Sequence, residues 1–181
     1  MYKEPIQAVN GNTQFTGKAK KKMKSTTIDK KALYTYLEEI NDPEVPVLSI
    51  IDLGIVRDIK LRDDELEVII TSTYTGCPAM DMIAAAIRVE LTTLGFKKIK
   101  ITRSISPAWT TDWMSEEGKR KLQQYGIAPP DKRFSIPKDG VECPLCHSSN
   151  SRVVSEFGST ACKALYQCND CKEPFDYFKC H

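Results

Sequence analysis

Four of the seven cysteines stand near the C-terminus as two C-x-x-C pairs, Cys143/Cys146 and Cys168/Cys171. A two-residue spacer lets both thiolates of one tight turn face the same ion, and a second such turn completes a tetrahedral S₄ site. The stretch between the pairs is slightly longer than the usual ribbon range, and the segment holds too little apolar residue to fold alone. A structural metal is therefore expected to clip it together, zinc ahead of iron, with a disulfide framework as the rival reading. Cys162 and Cys180 offer a second, less favoured arrangement. With Cys168 and Cys171 they spell C-x₅-C-x₂-C-x₈-C, a set that could hold an iron–sulfur cluster; otherwise they are packed thiols near the metal or redox-active spares. Cys143-Pro144-Leu145-Cys146-His147 also spells the attachment string of a c-type haem. Haem leaves the downstream pair unexplained and needs export, for which the polar start Met1-Tyr2-Lys3-Glu4-Pro5 has no apolar segment.

Cys77 has no neighbour in sequence to pair with. It closes Thr71-Ser72-Thr73-Tyr74-Thr75-Gly76-Cys77-Pro78, between an alternating apolar run and the clearest helical pattern in the chain. Pro78 suits a first helical turn, where its missing N–H costs nothing. Cys77 is then expected at or beside a helix N-terminus, whose free N–H groups and dipole would favour the thiolate. A thiolate there suits metal or cluster ligation, or nucleophilic attack; the alternative is a small buried cysteine that only packs. Asp42 and Glu44 could bring carboxylates to the same end of the sheet, although Asp-Pro-Glu by itself reads as a helix stop. The two histidines are His147 and His181, so a Cys–His hydrolytic pair would have to join distant segments.

The elements that must position these groups follow from periodicity. Residues 1–27 are polar and carry Lys18-Ala19-Lys20-Lys21-Lys22-Met23-Lys24, which reads as a disordered basic arm. A helix is expected from about Ile28-Asp29 to Asn41, with Leu33, Leu37 and Ile40 on one face. Strands are expected at 55–61 and 66–71, joined by a turn at Arg62-Asp63-Asp64, with Leu66, Val68 and Ile70 alternating toward a core. Met80, Ile83, Ala84, Ile87, Leu91 and Leu94 fall at helical spacing and Gly95 ends the run. Lys98–Thr102 supplies a third strand. The fold class expected is α+β: a two-layer helix–strand–strand–helix–strand domain at 28–105, then a small metal-binding ribbon at 140–181. Between them, 106–139 holds Trp109 and Trp113 in a loop, a charged helix near 115–124 and a Pro129-Pro130 linker. The two tryptophans are candidates for binding a partner.

Composition narrows the function class only a little. Hydrophobic content of 41% and charged content of 28% are globular values. A net charge of +2 over 181 residues does not call for nucleic acid, and no apolar run is long enough to span a bilayer. Cysteines at metal spacing favour a reducing, cytoplasmic setting.

Three strings carry a resemblance. Asp42-Pro43-Glu44-Val45-Pro46, Asp52-Leu53-Gly54-Ile55-Val56 and the Thr71–Pro78 loop resemble the SufT-like iron–sulfur assembly domain over roughly 28–105. The stretches at 106–115, 158–166 and 173–180 extend this resemblance over 28–181 to the PaaD family, found in phenylacetyl-CoA epoxidase systems. The resemblance implies an accessory maturation factor of aerobic phenylacetate degradation rather than an enzyme. It would assist iron–sulfur cluster assembly or repair in the epoxidase reductase; a structural or docking subunit is the alternative. It implies Cys77 as the reactive or cluster-associated position, handling iron or a cluster transiently. Reductase or oxygenase subunits are the implied partners, and a homo-oligomer is compatible with it.

Overall fold

The computed structural model describes residues 29–62, 65–131 and 136–179. The basic arm, the turn residues Asp63 and Asp64, and Cys180 lie outside them. Helix α1, Lys30–Leu37, starts where the Asp29 carboxylate accepts the Ala32 N–H at 2.7 Å, which satisfies one of the orphan donors of the first turn. Leu33 and Leu37 point inward, fully buried. The helix ends four residues before the expected Asn41. The reason lies in Ile40, whose carbonyl accepts from Ile50, and in Asp42, whose N–H is taken by Leu48. These bonds fold residues 40–50 back on themselves.

Strand β1, Val56–Arg62, pairs antiparallel with β2, Glu65–Ile70, and β2 pairs parallel with β3, Lys98–Arg103. A parallel partner requires a crossover, and helix α2, Ala79–Thr93, is that crossover. Leu66, Val68 and Ile70 alternate inward with no exposed surface, and α2 lays Met80, Ile83, Ile87 and Leu91 over them. Ile99 and Ile101 are half-buried at the margin of the same core.

The next segment is more ordered than a linker. The Trp109 indole N–H donates to the Leu53 carbonyl at 2.8 Å. A 3₁₀ turn over Thr111–Trp113 leads to helix α3, Glu116–Tyr125, capped by Ser115 accepting from Gly118 N at 2.8 Å. Gly54 lies at φ +65°, and a Cβ there would stand 2.4 Å from the Trp113 carbonyl; only glycine permits this approach. Buried Asp52 is the hub of the join. It accepts from Ser49, from the Ser115 hydroxyl at 2.8 Å and from the Lys121 ammonium at 2.6 Å.

Immediately after α3, Ile127–Ala128 forms β4, so the second sheet starts before the two prolines. Its order is β4–β7–β6–β5, with β5 at Ser151–Ser155, β6 at Lys163–Cys168 and β7 at Pro174–Phe178. Tyr166, Phe175 and Tyr177 fill its own small core. Phe178 and Cys162 do not join that core. Both are buried in the first one, where Phe178 meets the edge of Trp109 at a centroid distance of 6.2 Å. The two sheets are thus fastened by apolar side chains supplied by the ribbon. No helix among the described residues is long and apolar enough to cross a membrane.

Candidate functional site

The ribbon cysteines meet. Cys143 and Cys146 lie on one turn, Cys168 and Cys171 on another at the end of β6, and the four sulfurs all lie within 4.8 Å of one another. The Cys143–Cys171 and Cys146–Cys168 separations are 3.8 and 3.5 Å. Four sulfurs placed tetrahedrally at about 2.3 Å from a central ion stand about 3.8 Å apart, whereas a disulfide brings sulfur to about 2.0 Å. The spacing fits a tetrathiolate metal site and excludes the disulfide framework. Each second cysteine is followed by a residue at positive φ, His147 at 62° and Lys172 at 69°, which turns the chain sharply around the sulfurs. Burial raises the Cys168 thiol, but backbone N–H groups of Cys171 and Asp170, with the Cys146 thiol, outweigh it and bring it down to about 7. Those donors favour the thiolate that a metal needs. His147 is exposed and its Nδ1 faces Glu142 at 2.9 Å, outside the cluster.

The alternative set containing Cys162 is not formed. Cys162 and Cys168 are six residue steps apart along extended chain, about 20 Å at about 3.3 Å per residue, and Cys162 sits at the opposite end of β6 from the metal knuckles. Cys180 of that set lies outside the described residues.

Around Cys77 the sequence reading is corrected in one respect. Cys77 does precede α2, and its sulfur faces the Ala79 N–H. A depressed thiol pKa does not result. Burial pushes the Cys77 thiol up, the Glu44 and Asp42 charges add to this, and the Ala79 and Tyr74 hydrogen bonds do not compensate. Burial is the main reason that the helix N-terminus does not prevail, and the two carboxylates add to it. Asp42 is buried and its Oδ1 accepts the N–H groups of Glu44 and Val45 at 2.8 and 2.9 Å, so it shapes the loop that presents Glu44. Burial, set against those hydrogen bonds, leaves the Asp42 carboxyl above its usual range. Glu44 is the reaching group: its Oε1 accepts from the Tyr74 hydroxyl at 3.3 Å, and that hydroxyl also lies within bonding reach of Cys77.

One expectation about the tryptophans also changes. Trp109 is buried to 4% exposure against Phe178, so its ring has no surface to offer a partner. A large apolar side chain in a loop is drawn into the join between the sheets. Trp113 remains half-exposed, with the Arg57 guanidinium stacked 3.3 Å above its ring. Sequence reasoning does not pair Tyr74 with Glu44 and Cys77, nor Cys162 with Glu44. Tyr74 stands inside the Thr71–Pro78 loop and is legible by proximity to Cys77; Cys162 is 118 residues from Glu44 and is joined to it only by the fold.

Replacing Glu44 by glutamine tests this electrostatic picture. The Cys77 thiol should fall toward its ordinary value, so alkylation at a fixed neutral pH should speed up several-fold and its pH profile should move to lower pH. An unchanged profile would contradict a Glu44 charge acting at the sulfur.

Comparison with known proteins adds the family. Residues 30–102 match the family described as iron-sulfur cluster assembly protein, and residues 128–179 match the PaaD zinc beta ribbon domain. An Escherichia coli (strain K12) protein named as a 1,2-phenylacetyl-CoA epoxidase subunit is 46% identical over 151 residues, spanning 82% of this chain and 91% of that protein. A Porphyromonas gingivalis (strain ATCC BAA-308 / W83) protein, "Fe-S protein maturation auxiliary factor", is 35% identical over 88 residues, 48% of this chain and 83% of that one. Among solved structures, the DUF59 domain from Bacillus anthracis is 28% identical, covers 51% of this chain and 89% of its own, and has a TM-score of 0.48.

Proposed function

The chain belongs to the PaaD family, whose Escherichia coli relative is named as a 1,2-phenylacetyl-CoA epoxidase subunit, and from that membership we propose that it is an accessory maturation factor of aerobic phenylacetate degradation. It assists assembly or repair of the iron–sulfur cluster in the epoxidase reductase, works in the cytoplasm, and turns over no substrate of its own. Iron or a cluster is its cargo, and Cys77 is the transient ligand. The observation that carries this reading is the company Cys77 keeps. Glu44, held in place by Asp42, accepts from the Tyr74 hydroxyl, Tyr74 also bonds to Cys77, and the Glu44 charge reaches the thiol. Carboxylates beside a thiol oppose a bare thiolate nucleophile, because they repel the anion. The same carboxylates attract a cation, and a bound cation would then stabilise the thiolate. The site is therefore suited to hold a metal and unsuited to attack an acyl group.

The ribbon supports the same role structurally. Its four thiolates suit zinc, which takes a closed tetrahedral site without redox chemistry. The metal there would be resident and would hold the fold rather than travel.

The test is Cys77→Ser in cells producing the epoxidase reductase. The reductase should emerge with its cluster content reduced at least several-fold, while the variant keeps its ribbon metal. Full cluster loading by the variant would refute the carrier reading. A second reading, a docking subunit, draws on exposed Ile105 and Phe157, at 90% and 65% exposure, and on half-exposed Trp113. A docking subunit should co-purify stoichiometrically with reductase or oxygenase whether or not Cys77 is present; a carrier should not.

A further inference from the structure

Building on that carrier reading, we propose that a trough at the carboxyl ends of β2 and β3 receives the client as an extended, uncharged segment. A bulky apolar side chain of that segment rests on Phe157 and Ile105, and its cysteine reaches the Cys77 end. Two adjoining cavities make the trough. One of about 500 Å³ is lined by the 71–75 loop, Ile105, Phe157 and Ala161. One of about 200 Å³ is lined by Cys77, Met80 and Arg103. Ser72, Thr75 and Ile105 line both, so the trough runs from the ribbon to Cys77. The backbone fixes its shape: the Thr71 N–H donates to the Ile55 carbonyl at 2.9 Å, and the Ser104 N–H donates to the Ile70 carbonyl at 2.8 Å. Loops that leave the carboxyl ends of parallel strands border a crevice, which is where open sheets of this kind bind their ligands.

The chemistry of the lining selects the occupant. The hydroxyls of Ser72, Thr73 and Thr75 make no hydrogen bond among the described residues. A hydroxyl both donates and accepts, so this floor can pair with the N–H and C=O groups of an extended chain. The apolar wall is built rather than left over. Phe157 is 65% exposed, yet the Lys179 ammonium lies 4.3 Å from its ring centroid and donates to the Glu156 carbonyl, and the Ser155 hydroxyl accepts the Phe157 N–H at 3.1 Å. Lys179 is itself buried, and a buried cation is costly unless it is paired; the ring face is one of its partners, which holds the ring in place. An aromatic side chain held rigid at a cavity wall is the kind of anchor that carries binding energy.

Charge points the segment. Among the described residues Arg103 is the only charged group lining the trough, and it stands at the Cys77 end, half-exposed and shared with Asp81 of α2. A thiolate is the anion that suits both a guanidinium and a metal carried on Cys77. The rest of the lining is neutral, which disfavours a strongly charged occupant. Cargo held on Cys77 leaves only to a group that reaches it, and the trough leads there.

The test uses the full chain with its ribbon metal in place and the cluster-free epoxidase reductase as probe. Alkylation of Cys77 in wild type, followed by mass spectrometry with reagent in excess, should slow at least several-fold when the reductase is added; this readout needs no variant to fold. Phe157→Ser should keep the ribbon metal, weaken reductase binding by at least about 10-fold and abolish the protection. A benzophenone side chain in place of Ile105 should cross-link to the reductase segment that carries a cluster cysteine. Reductase binding that leaves Cys77 unprotected, wild-type affinity in Phe157→Ser, or cross-links confined to segments without cysteine would each overturn the trough and leave the carrier reading to its own Cys77→Ser test. Protection of Cys77 that appears on concentrating the protein alone, and is lost in Phe157→Ser, would put a second copy in the trough and overturn the client as occupant. Intact protection by the reductase together with full cluster loading by Cys77→Ser would refute the carrier reading and leave the trough as a docking surface.

Discussion

Cys168→Ser should empty the ribbon of metal and unfold it. Cys168 is buried at the centre of the tetrathiolate cluster and receives backbone N–H groups from Asp170 and Cys171. Serine keeps the size but supplies no thiolate at neutral pH, so the change reports ligation rather than packing. Metal binding in small zinc domains is worth about 10–16 kcal/mol at neutral pH. The ribbon core, built around Tyr166, Phe175 and Tyr177, is too small to replace that. The damage should also cross to the first sheet. Phe178 belongs to the first core, and withdrawing a buried phenylalanine costs about 3–5 kcal/mol. The expected result is a metal-to-protein ratio falling from one to zero, loss of near-ultraviolet dichroism from the ribbon tyrosines, and a lower melting temperature for the remainder. Prolonged chelation of wild type should reproduce all three. Cys162→Ser should keep the ribbon metal, because Cys162 lies at the far end of β6. Full metal content in Cys168→Ser would contradict the four-cysteine site.

That asymmetry between the cysteines at the two ends of β6 shows what could be read from the sequence. The C-x-x-C pairs are local: spacing alone states that two sulfurs share a turn, and only the meeting of the turns had to be supplied by the fold. The same holds for β2 and α2, where Leu66, Val68 and Ile70 alternate and Met80, Ile83, Ile87 and Leu91 recur at helical spacing, both strong periodic signals. The end of α1 is less legible because nothing near Leu37 announces that Ile40 and Asp42 will be claimed by Ile50 and Leu48. Cys162 and Trp109 escape sequence reasoning for a related reason. Each is drawn away from its own segment by the contact between sheets, and no period or spacing encodes that contact. The thiol of Cys77 departs from expectation mainly through its burial, with a smaller contribution from nearby charge. A helix N-terminus is visible in sequence, while a carboxylate 33 residues upstream, Glu44, becomes its neighbour only after folding.

Asp52→Asn should destabilise the fold, and its cost should depend on pH. Asp52 is buried to 3% exposure, and its carboxylate ties the 49–54 turn to the start of α3 through Ser115 and to its middle through Lys121. Asparagine keeps the shape but removes the charge, leaving the Lys121 ammonium without its partner. Losing one member of such a half-buried pair costs on the order of 3 kcal/mol. Burial would raise the Asp52 carboxyl, but Lys121, Ser115 and Ser49 outweigh it and hold it below the ordinary carboxylate range. A carboxylate whose pKa is lower folded than unfolded stabilises the fold above its unfolded value of about 3.9, and that stabilisation is lost as pH falls through the folded value. Wild type should therefore exceed Asp52→Asn by a constant margin from about pH 5 upward, and the two should converge at lower pH. Other carboxylates held low, such as Asp58 and Glu67, titrate in both proteins and cancel in the difference. Denaturant melts of the pair at several pH values provide the measurement. A margin that stayed constant down to acid pH would mean that the Asp52 side chain acts through shape alone. Convergence would establish its charge as the bond between the assembly domain and the helix that leads into the ribbon.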